Sequence, residues 1–241
     1  MKSRARLPAV AVAVIVCLGS AACDSLPGRP TVANREVLPS QVMTFDVIYK
    51  RNCAGCHGQN GRLGAARSLN DPVYLALVSA DRLRAMIGEG VPGTSMPAFR
   101  AAAGGDLTDA QIDALVTGML THWARADAVA GMTLPPYDGP GKGSGAADRE
   151  RGAVVFASAC SRCHGPEGKG GPTVGSIVDP SYLALVSDQS LRTTVIAGRS
   201  DLGKPDWRED TPGRPLTPQQ ISDLVAWLVG HRQPVPGRPE G

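Results

Sequence analysis

The chain has 241 residues, a formal net charge of +3 and only 4% aromatic residues, while glycine and proline are abundant. This length allows one large domain or two small ones. Removal of residues 1–22, which hold three basic and no acidic residues, takes the formal charge from +3 to about 0, so the composition gives no support for nucleic-acid binding. A core so poor in aromatic side chains needs another source of apolar volume.

The N-terminus has the features of an export signal. Lys2, Arg4 and Arg6 precede an apolar run over 7–18, which is too short for a membrane-spanning helix. Residues 1–22 are therefore predicted to be a signal peptide. The mature protein is expected to work on the periplasmic side of the membrane.

The end of this signal resembles a bacterial lipobox. Small residues lead to Cys23, although Ser20 stands where a branched aliphatic residue is favoured. The sequence favours lipidation of Cys23, which would tether the protein to a membrane surface through residues 23–42. The alternative is a soluble periplasmic protein with an unmodified cysteine.

The rest of the chain is an internal duplication. Three segments occur twice, at an offset that grows only from 107 to 109 residues, so two one-residue shifts align the copies. This pattern predicts two tandem domains. The pairs are CAGCH (53–57) with CSRCH (160–164), NDPVYLALVS (70–79) with VDPSYLALVS (178–187), and LTDAQIDALV (107–116) with LTPQQISDLV (216–225).

Each copy is predicted to be mostly helical. In both DP pairs, the Asp can cap a helix whose first turn holds the Pro. Thr108 with Gln111 forms a capping box before the last helix of the first copy, and Thr217 with Gln220 repeats it in the second. Apolar residues then recur at three- and four-residue spacing, which predicts an amphipathic helix packed on the core.

The segment between the copies is rich in Pro, Gly and Ser and includes TLPPYDGPGKGSGAAD. This composition predicts a flexible linker. Each domain is then about 85 residues long, a size at which a core is marginal without a staple or cofactor. The predicted segments are a signal peptide (1–22), a tether (23–42), domain 1 (43–126), the linker (127–148), domain 2 (149–233) and a frayed tail (234–241).

The motif C-x-x-C-H is the attachment signature of c-type haem. Its two thiols add across the haem vinyl groups, and the adjacent histidine is held beneath the iron. A redox-active dithiol or a zinc site is the alternative, but the immediate histidine in both copies and the predicted export favour two covalently bound haem c groups. The residues concerned are Cys53, Cys56 and His57, and Cys160, Cys163 and His164.

With these motifs the chain resembles the class I cytochrome c family across both copies. That family has an N-terminal helix with an aromatic residue, then CxxCH, a loop, further helices, a methionine loop and a C-terminal helix. Tyr49 and Phe156 match the aromatic, each four residues before its first cysteine. The resemblance implies an all-α fold of two tandem cytochrome c domains, each a small helical bundle around a covalent haem.

The resemblance also implies roles for the two histidines. His57 and His164 match the proximal iron ligands. In the family, a loop carbonyl after CxxCH accepts a hydrogen bond from that histidine, often at a Gly-Pro pair. Gly171-Pro172 matches this pair in the second copy, and Gly64-Ala65 stands in its place in the first.

The distal ligand of the first copy is predicted to be Met96, in the loop GVPGTSMPAF, 39 residues after His57. Met-Pro in such a loop is the family's usual distal site, and a packing role is the alternative. Met86 and Met119 sit at helical core positions and Met132 lies in the linker, so they are weaker candidates. A thioether ligand favours ferrous iron and raises the reduction potential.

The second copy differs at this position. No methionine follows His164, and the alignment places Lys204 opposite Met96. Three interpretations remain: the neutral Lys204 amine binds the second iron and lowers its potential, Lys204 points to solvent and leaves the iron open, or another residue such as His231 binds. The counterpart of His231 in the first copy coexists with Met96, which argues against the third.

The leading functional hypothesis is single-electron transfer between exported or membrane-bound redox partners, such as a quinol-oxidising complex, a dehydrogenase or an oxidase, without catalysis by the chain itself. The alternative is a dihaem oxidoreductase, or a gas- or peroxide-reactive protein, with an open or Lys-ligated second haem. Dihaem thiosulfate dehydrogenases resemble the design but carry an active-site cysteine ligand. No cysteine remains here outside the haem motifs and the signal region.

Overall fold

The computed structural model describes residue 31 and residues 35–172, 174–208 and 214–234. These residues form ten α-helices and no strand, which confirms the all-α fold. Each copy contributes five helices in the same order. The first copy holds α1 (Phe45–Asn52), α2 (Ala54–His57), α3 (Pro72–Leu77), α4 (Ala80–Glu89) and α5 (Asp109–Trp123), and the second holds α6 (Arg149–Ala159), α7 (Ser161–His164), α8 (Pro180–Leu185), α9 (Asp188–Ala197) and α10 (Pro218–Val229).

The predicted signal peptide, Cys23 and residues 235–241 of the tail lie outside the described residues. Among the helices that are described, none is long and apolar enough to cross a membrane.

The helix starts follow the sequence signals closely. Asp71 and Asp179 each accept a hydrogen bond at 2.9 Å from the backbone N–H three residues further on, with Pro in the first turn. Thr108 and Thr217 both form the complete capping box with the glutamine three residues later. These caps satisfy backbone donors that the helices leave unpaired, and they confirm the predicted helix starts.

The first and last helices of each copy cross at a glycine, but the two copies place it on opposite helices. In the first copy, a Cβ on Gly118 of α5 would lie 2.2 Å from the ring of Phe45 on α1. In the second copy, Gly152 of α6 aligns with Phe45 and Trp227 of α10 aligns with Gly118. A Cβ on Gly152 would lie 2.0 Å from the carbonyl oxygen of Asp223. Each crossing therefore holds one bulky ring. In the first copy the ring comes from the first helix, and in the second copy it comes from the last helix.

The aromatic residue before each CxxCH is buried at this crossing. Tyr49 is 3% exposed and its ring centroid lies 5.1 Å from that of Trp123. Phe156 is 1% exposed and stacks on Trp227 at 4.1 Å. The few rings of this chain are thus concentrated where the terminal helices meet beside each CxxCH turn.

The prediction of a flexible linker is wrong for its central part. The guanidinium of Arg192, a side chain in α9 that is only 4% exposed, donates hydrogen bonds of 2.9–3.1 Å to the carbonyl oxygens of Pro136 and Tyr137. The Tyr137 ring also lies 5.7 Å from the guanidinium carbon of Arg82 in α4. The linker therefore contacts both copies. Its carbonyls accept hydrogen bonds from the buried Arg192 of the second copy, and its Tyr137 ring lies beside Arg82 of the first.

The two copies also contact each other directly. The backbone N–H of Leu63 donates to the Asp201 carboxylate at 2.9 Å, and the Ser200 hydroxyl donates to Asp71 at 2.7 Å. The described residues from 42 to 234 belong to one compact unit. The loop after α2 in the first copy thus lies against the turn after α9 in the second.

Candidate haem-binding sites

Each CxxCH motif forms a single helical turn. In the first copy, the carbonyl of Cys53 accepts hydrogen bonds from the backbone N–H of Cys56 at 3.2 Å and of His57 at 2.9 Å. The second copy repeats this arrangement with distances of 3.1 Å at Cys163 and 3.0 Å at His164. Both cysteines and the histidine of each motif are therefore held on one short, rigid segment.

The cysteines of both motifs are outside disulfides, and Cys56 and Cys163 are exposed. Burial, together with the neighbouring Cys56 thiol, raises the pKa of Cys53 to about 12. A thiol held neutral in this way is a poor redox nucleophile, which argues against a redox-active dithiol. Within the part of the chain that the structure describes, no three His, Cys, Asp or Glu side chains gather as a metal site, which argues against a four-cysteine zinc site.

His57 is oriented by a backbone carbonyl. Its Nδ1 lies 2.7 Å from the carbonyl oxygen of Arg67. The expected acceptor is the carbonyl of Gly64, and this expectation is wrong: His57 donates to Arg67, while the Gly64 oxygen accepts from Arg199 at 3.1 Å. With Nδ1 as the donor, Nε2 keeps its lone pair and is available to a metal.

The charge state of His57 also suits metal binding. Burial lowers its pKa, and the hydrogen bond to the Arg67 carbonyl opposes this shift. The positive charges of Arg67 and Arg199 lower the pKa further. Because a metal binds neutral imidazole, His57 fits an iron ligand.

His164 has a different environment. Burial and the positive charge of Lys204 lower its pKa. Its Nδ1 is buried and makes no hydrogen bond to any described residue, so the expected acceptor at Gly171 is not observed. The backbone of Gly175 is close enough to oppose the pKa shift but does not meet hydrogen-bond geometry.

The loops that hold Met96 and Lys204 share one backbone hydrogen bond. The carbonyl of Met96 accepts a hydrogen bond from Val91 at 3.1 Å, and the carbonyl of Lys204 accepts one from Arg199 at 3.3 Å. In both loops the donor is five residues before the acceptor. Both side chains are half-buried. This shared hydrogen bond is consistent with the alignment of Lys204 with Met96.

The glycine before each loop supports the same conclusion. Gly90 and Gly198 end α4 and α9 with φ values of +74° and +69°. A Cβ on Gly90 would lie 2.9 Å from the Met96 carbonyl oxygen, and a Cβ on Gly198 would lie 2.8 Å from that of Lys204. Only glycine allows this close return of the loop without strain.

Met119 and Met86 pack within the fold, as expected from their helical core positions. Met119 is 2% exposed within α5, and the sulfur of Met86 accepts a hydrogen bond from the Tyr137 hydroxyl at 3.7 Å. Met132 has a position that the sequence did not reveal: its sulfur lies 3.1 Å from the Arg208 guanidinium, just beyond the Lys204 loop. Linear order hid this contact, because Met132 precedes the second copy.

The two C-terminal histidines behave as features of helix ends. His122 stacks on Phe45 at 5.5 Å in the last turn of α5. His231 follows α10 and packs edge-on against Trp227 at 4.6 Å. Both rings pack against aromatic side chains, while Nε2 of His231 is buried and makes no hydrogen bond to any described residue.

Comparisons with known proteins match this geometry. Residues 40–117 match the family described as "Cytochrome C oxidase, cbb3-type, subunit III", and residues 149–231 match the family described as "Cytochrome c". The chain is 27% identical over 214 residues to a "Cbb3-type cytochrome c oxidase subunit FixP" of Azorhizobium caulinodans, with 87% of this chain and 66% of the relative covered.

Two further comparisons add one curated relative and one solved structure. A "Cbb3-type cytochrome c oxidase subunit FixP" of Bradyrhizobium sp. is 30% identical over 192 residues, which cover 75% of this chain and 58% of the relative. Among solved structures, the "KustC0563 c-type cytochrome" is 26% identical with a TM-score of 0.30, and covers 34% of this chain and 99% of its own. The chain therefore spans less than two thirds of the length of these curated relatives.

The chain is a c-type cytochrome with two cytochrome c domains in tandem. A domain of this kind carries one covalent haem c, so two domains give two covalently bound haem c groups. The paired thiols and the half-buried histidines, whose pKa values are lowered, fit these groups.

Proposed function

We propose that this chain is a dihaem electron carrier that passes single electrons between redox proteins. The observation that carries the proposal is the repeated arrangement of a CxxCH turn with an equivalent loop that presents Met96 in one copy and Lys204 in the other. Haem iron supplies the one-electron redox chemistry. The protein supplies its attachment, its axial ligands and a short path between two joined domains.

In this proposal the four motif cysteines attach the two haem groups. His57 and His164 are the proximal ligands, which their pKa values keep neutral. Met96 is the distal ligand of the first iron. The thioether favours ferrous iron, so the first haem is the higher-potential centre.

We propose Lys204 as the distal ligand of the second iron. Two observations support this assignment: the Lys204 carbonyl accepts the same hydrogen bond from the residue five before it as the Met96 carbonyl does, and Gly198 allows the same close approach of the loop as Gly90. An amine is a harder ligand than a thioether and favours ferric iron. The competing arrangements are an open second iron and ligation by Met132, the linker methionine beside this loop.

We propose a membrane-bound terminal oxidase as the electron acceptor. The support is that the curated relatives are named as subunits of cbb3-type cytochrome c oxidase. The chain would then lie on the exported side of the membrane, with Cys23 as a lipid anchor. Metabolic labelling with a radioactive fatty acid tests the anchor, because a Cys23→Ala variant must lose the label.

The proposed function is tested by potentiometric titration of the purified holoprotein, with an absorption spectrum at each step. The expected result is two one-electron centres of unequal potential. Near-infrared magnetic circular dichroism of the ferric protein should show one His/Met and one His/Lys band. Fast stoichiometric carbon monoxide binding at one reduced haem would instead indicate an open iron, and would favour a gas- or peroxide-reactive protein.

A further inference from the structure

The loop that follows the first CxxCH turn is held in place by the second domain. This loop, residues 58–70, contains the carbonyl that orients His57. Three of its hydrogen bonds, described below, reach residues of α9 or of the turn after it. We call the loop the proximal loop of domain 1.

Arg67 contacts the first domain through its backbone and the second domain through its side chain. Its carbonyl accepts the hydrogen bond from His57 at 2.7 Å. Its guanidinium donates to the hydroxyl of Thr194, on α9 of the second domain, at 2.6 Å. That guanidinium also lies 4.8 Å from the centre of the Tyr74 ring, and in the described part of the chain it forms no ion pair with a carboxylate. Among the described residues, the Thr194 hydroxyl is therefore the only side-chain group that accepts a hydrogen bond from the Arg67 guanidinium.

A second set of contacts supports the bend of the same loop. Leu63 has φ +62°, the one left-handed non-glycine residue among those described, and its N–H donates to Asp201 at 2.9 Å. The Arg199 side chain donates to the Gly64 carbonyl at 3.1 Å and pairs with Asp201 at 2.9 Å. Strained backbone of this kind persists only where its surroundings fix it, and here the second domain does so.

The second domain has no counterpart of this arrangement among the described residues. His164 Nδ1 lacks the hydrogen bond that His57 makes. The carbonyl of Val174, which aligns with Arg67, instead accepts from Gly171 at 2.8 Å. The contacts therefore act on one haem site only.

We infer that Thr194 of the second domain is a positioning residue for the first haem, acting through Arg67 and the hydrogen bond to His57. This inference rests on the proposed role of His57 as an iron ligand. A partner that holds the Nδ1–H of a ligating histidine raises the basicity of that ligand. The anchored carbonyl therefore favours ferric iron at the first haem and keeps the reduction potential of that haem lower than it would be without the anchor.

The test is the Thr194→Val variant of the full-length holoprotein, which removes the hydroxyl and keeps the Arg67 charge. Spectroscopically resolved potentiometry should show a positive shift of the first haem potential, with the second unchanged. Hydrogen exchange at Leu69 and Asn70, whose amides both bond to Gly61 at 2.8 and 3.0 Å, should become faster.

Two variants serve as controls. Thr194→Ser keeps the hydroxyl and should retain the parent potential. Thr193→Val removes a neighbouring hydroxyl that bonds only within α9, to Gln189 and Ser190, and should shift neither haem. Parent-like titration of Thr194→Val, or equal shifts at both haems, would overturn the inference. Two unequal centres in the unmodified protein would still support the proposed function.

Discussion

At the scale of single residues, the main difference between the domains is the side chain on one conserved loop. Met96 and Lys204 share a backbone hydrogen bond to the residue five before and the same approach to a preceding glycine. The backbone therefore presents either side chain in the same way. We therefore expect the two haem sites to differ in reduction potential, because one loop presents a thioether and the other an amine.

We expect Lys204→Met to raise the potential of the second haem, because a thioether favours ferrous iron more than an amine does. The expected shift exceeds about 59 mV, a tenfold change in a one-electron equilibrium. Potentiometry with near-infrared magnetic circular dichroism measures it, and the His/Lys band should be replaced by a second His/Met band. Lys142→Met, in the exposed part of the linker, is the control. An unchanged spectrum would exclude Lys204 as a ligand.

At the scale of helices, the glycine crossings explain how the two copies pack with few aromatic residues. The first copy inserts Phe45 of α1 against Gly118, and the second inserts Trp227 of α10 against Gly152. The bulky residue thus lies on the first helix in one copy and on the last helix in the other, and the glycine lies on the opposite helix each time. The helix-on-helix contact is kept because the total volume at each crossing is similar.

Gly152→Ala is expected to lower the free energy of unfolding of the second domain by about 1–3 kcal/mol, because the added methyl group overlaps the α10 backbone. Denaturant unfolding followed by circular dichroism measures this change. Gly145→Ala is the matched control, since its Cβ would meet only the Gln219 side chain at 3.9 Å. Equal effects of the two substitutions would show that the close approach at Gly152 does not matter.

Asp223 lies in α10, the last helix, and its carboxylate binds residues at the start of α6. Its carboxylate, which is 3% exposed, pairs with Arg151 at 2.9 Å and accepts from Gln219 and from the Asp148 backbone at 2.9 and 2.8 Å. Burial raises its pKa, but these hydrogen bonds together lower it below the usual range. The lowered folded-state pKa stabilises the domain above the unfolded pKa of about 4. This contribution is lost as the pH falls through the folded-state value.

We therefore expect Asp223→Asn to destabilise the second domain at neutral pH by about 1–3 kcal/mol. The variant should also lose less stability than the parent between about pH 5 and pH 2. Thermal unfolding across this range provides the measurement. A parent-like acid dependence in Asp223→Asn would show that another carboxylate is responsible.

At the scale of the whole molecule, the two domains and the linker form one unit. Arg192 holds the linker carbonyls from the second domain, while Arg82 contacts Tyr137 from the first. Asp201, Arg199 and Thr194 add direct contacts between the domains. This arrangement restricts the relative motion of the two haem sites, which favours electron passage inside the molecule.

Arg192→Met is expected to release the linker, because the carbonyls of Pro136 and Tyr137 lose their buried donor. The expected loss of stability is about 1–3 kcal/mol, with new proteolytic cleavage between residues 131 and 147. Limited proteolysis with mass spectrometry detects the cleavage. Arg214→Met, at an exposed position, should leave the linker protected, and a protected linker in Arg192→Met would contradict this account.

Much of each domain followed from local sequence. The caps at Asp71 and Thr108, and their repeats, predicted the helix starts because capping depends on residues only three apart. The Lys204 alignment also held, since duplication preserves spacing. The acceptor for His57 could not be predicted in this way, because Arg199 and Thr194 of the second domain hold the loop at Gly64 and Arg67, and these contacts are distant in sequence.

The sequence by itself determined the all-α class, the duplication, the two CxxCH turns and the loop equivalence of Met96 and Lys204. Each of these depends on short-range periodicity, capping or residue spacing. Only the tertiary structure decided that the linker is anchored, that Met132 lies beside the second distal loop and that the second domain holds the proximal loop of domain 1. These features join residues up to 138 positions apart, and no local pattern records contacts over that distance.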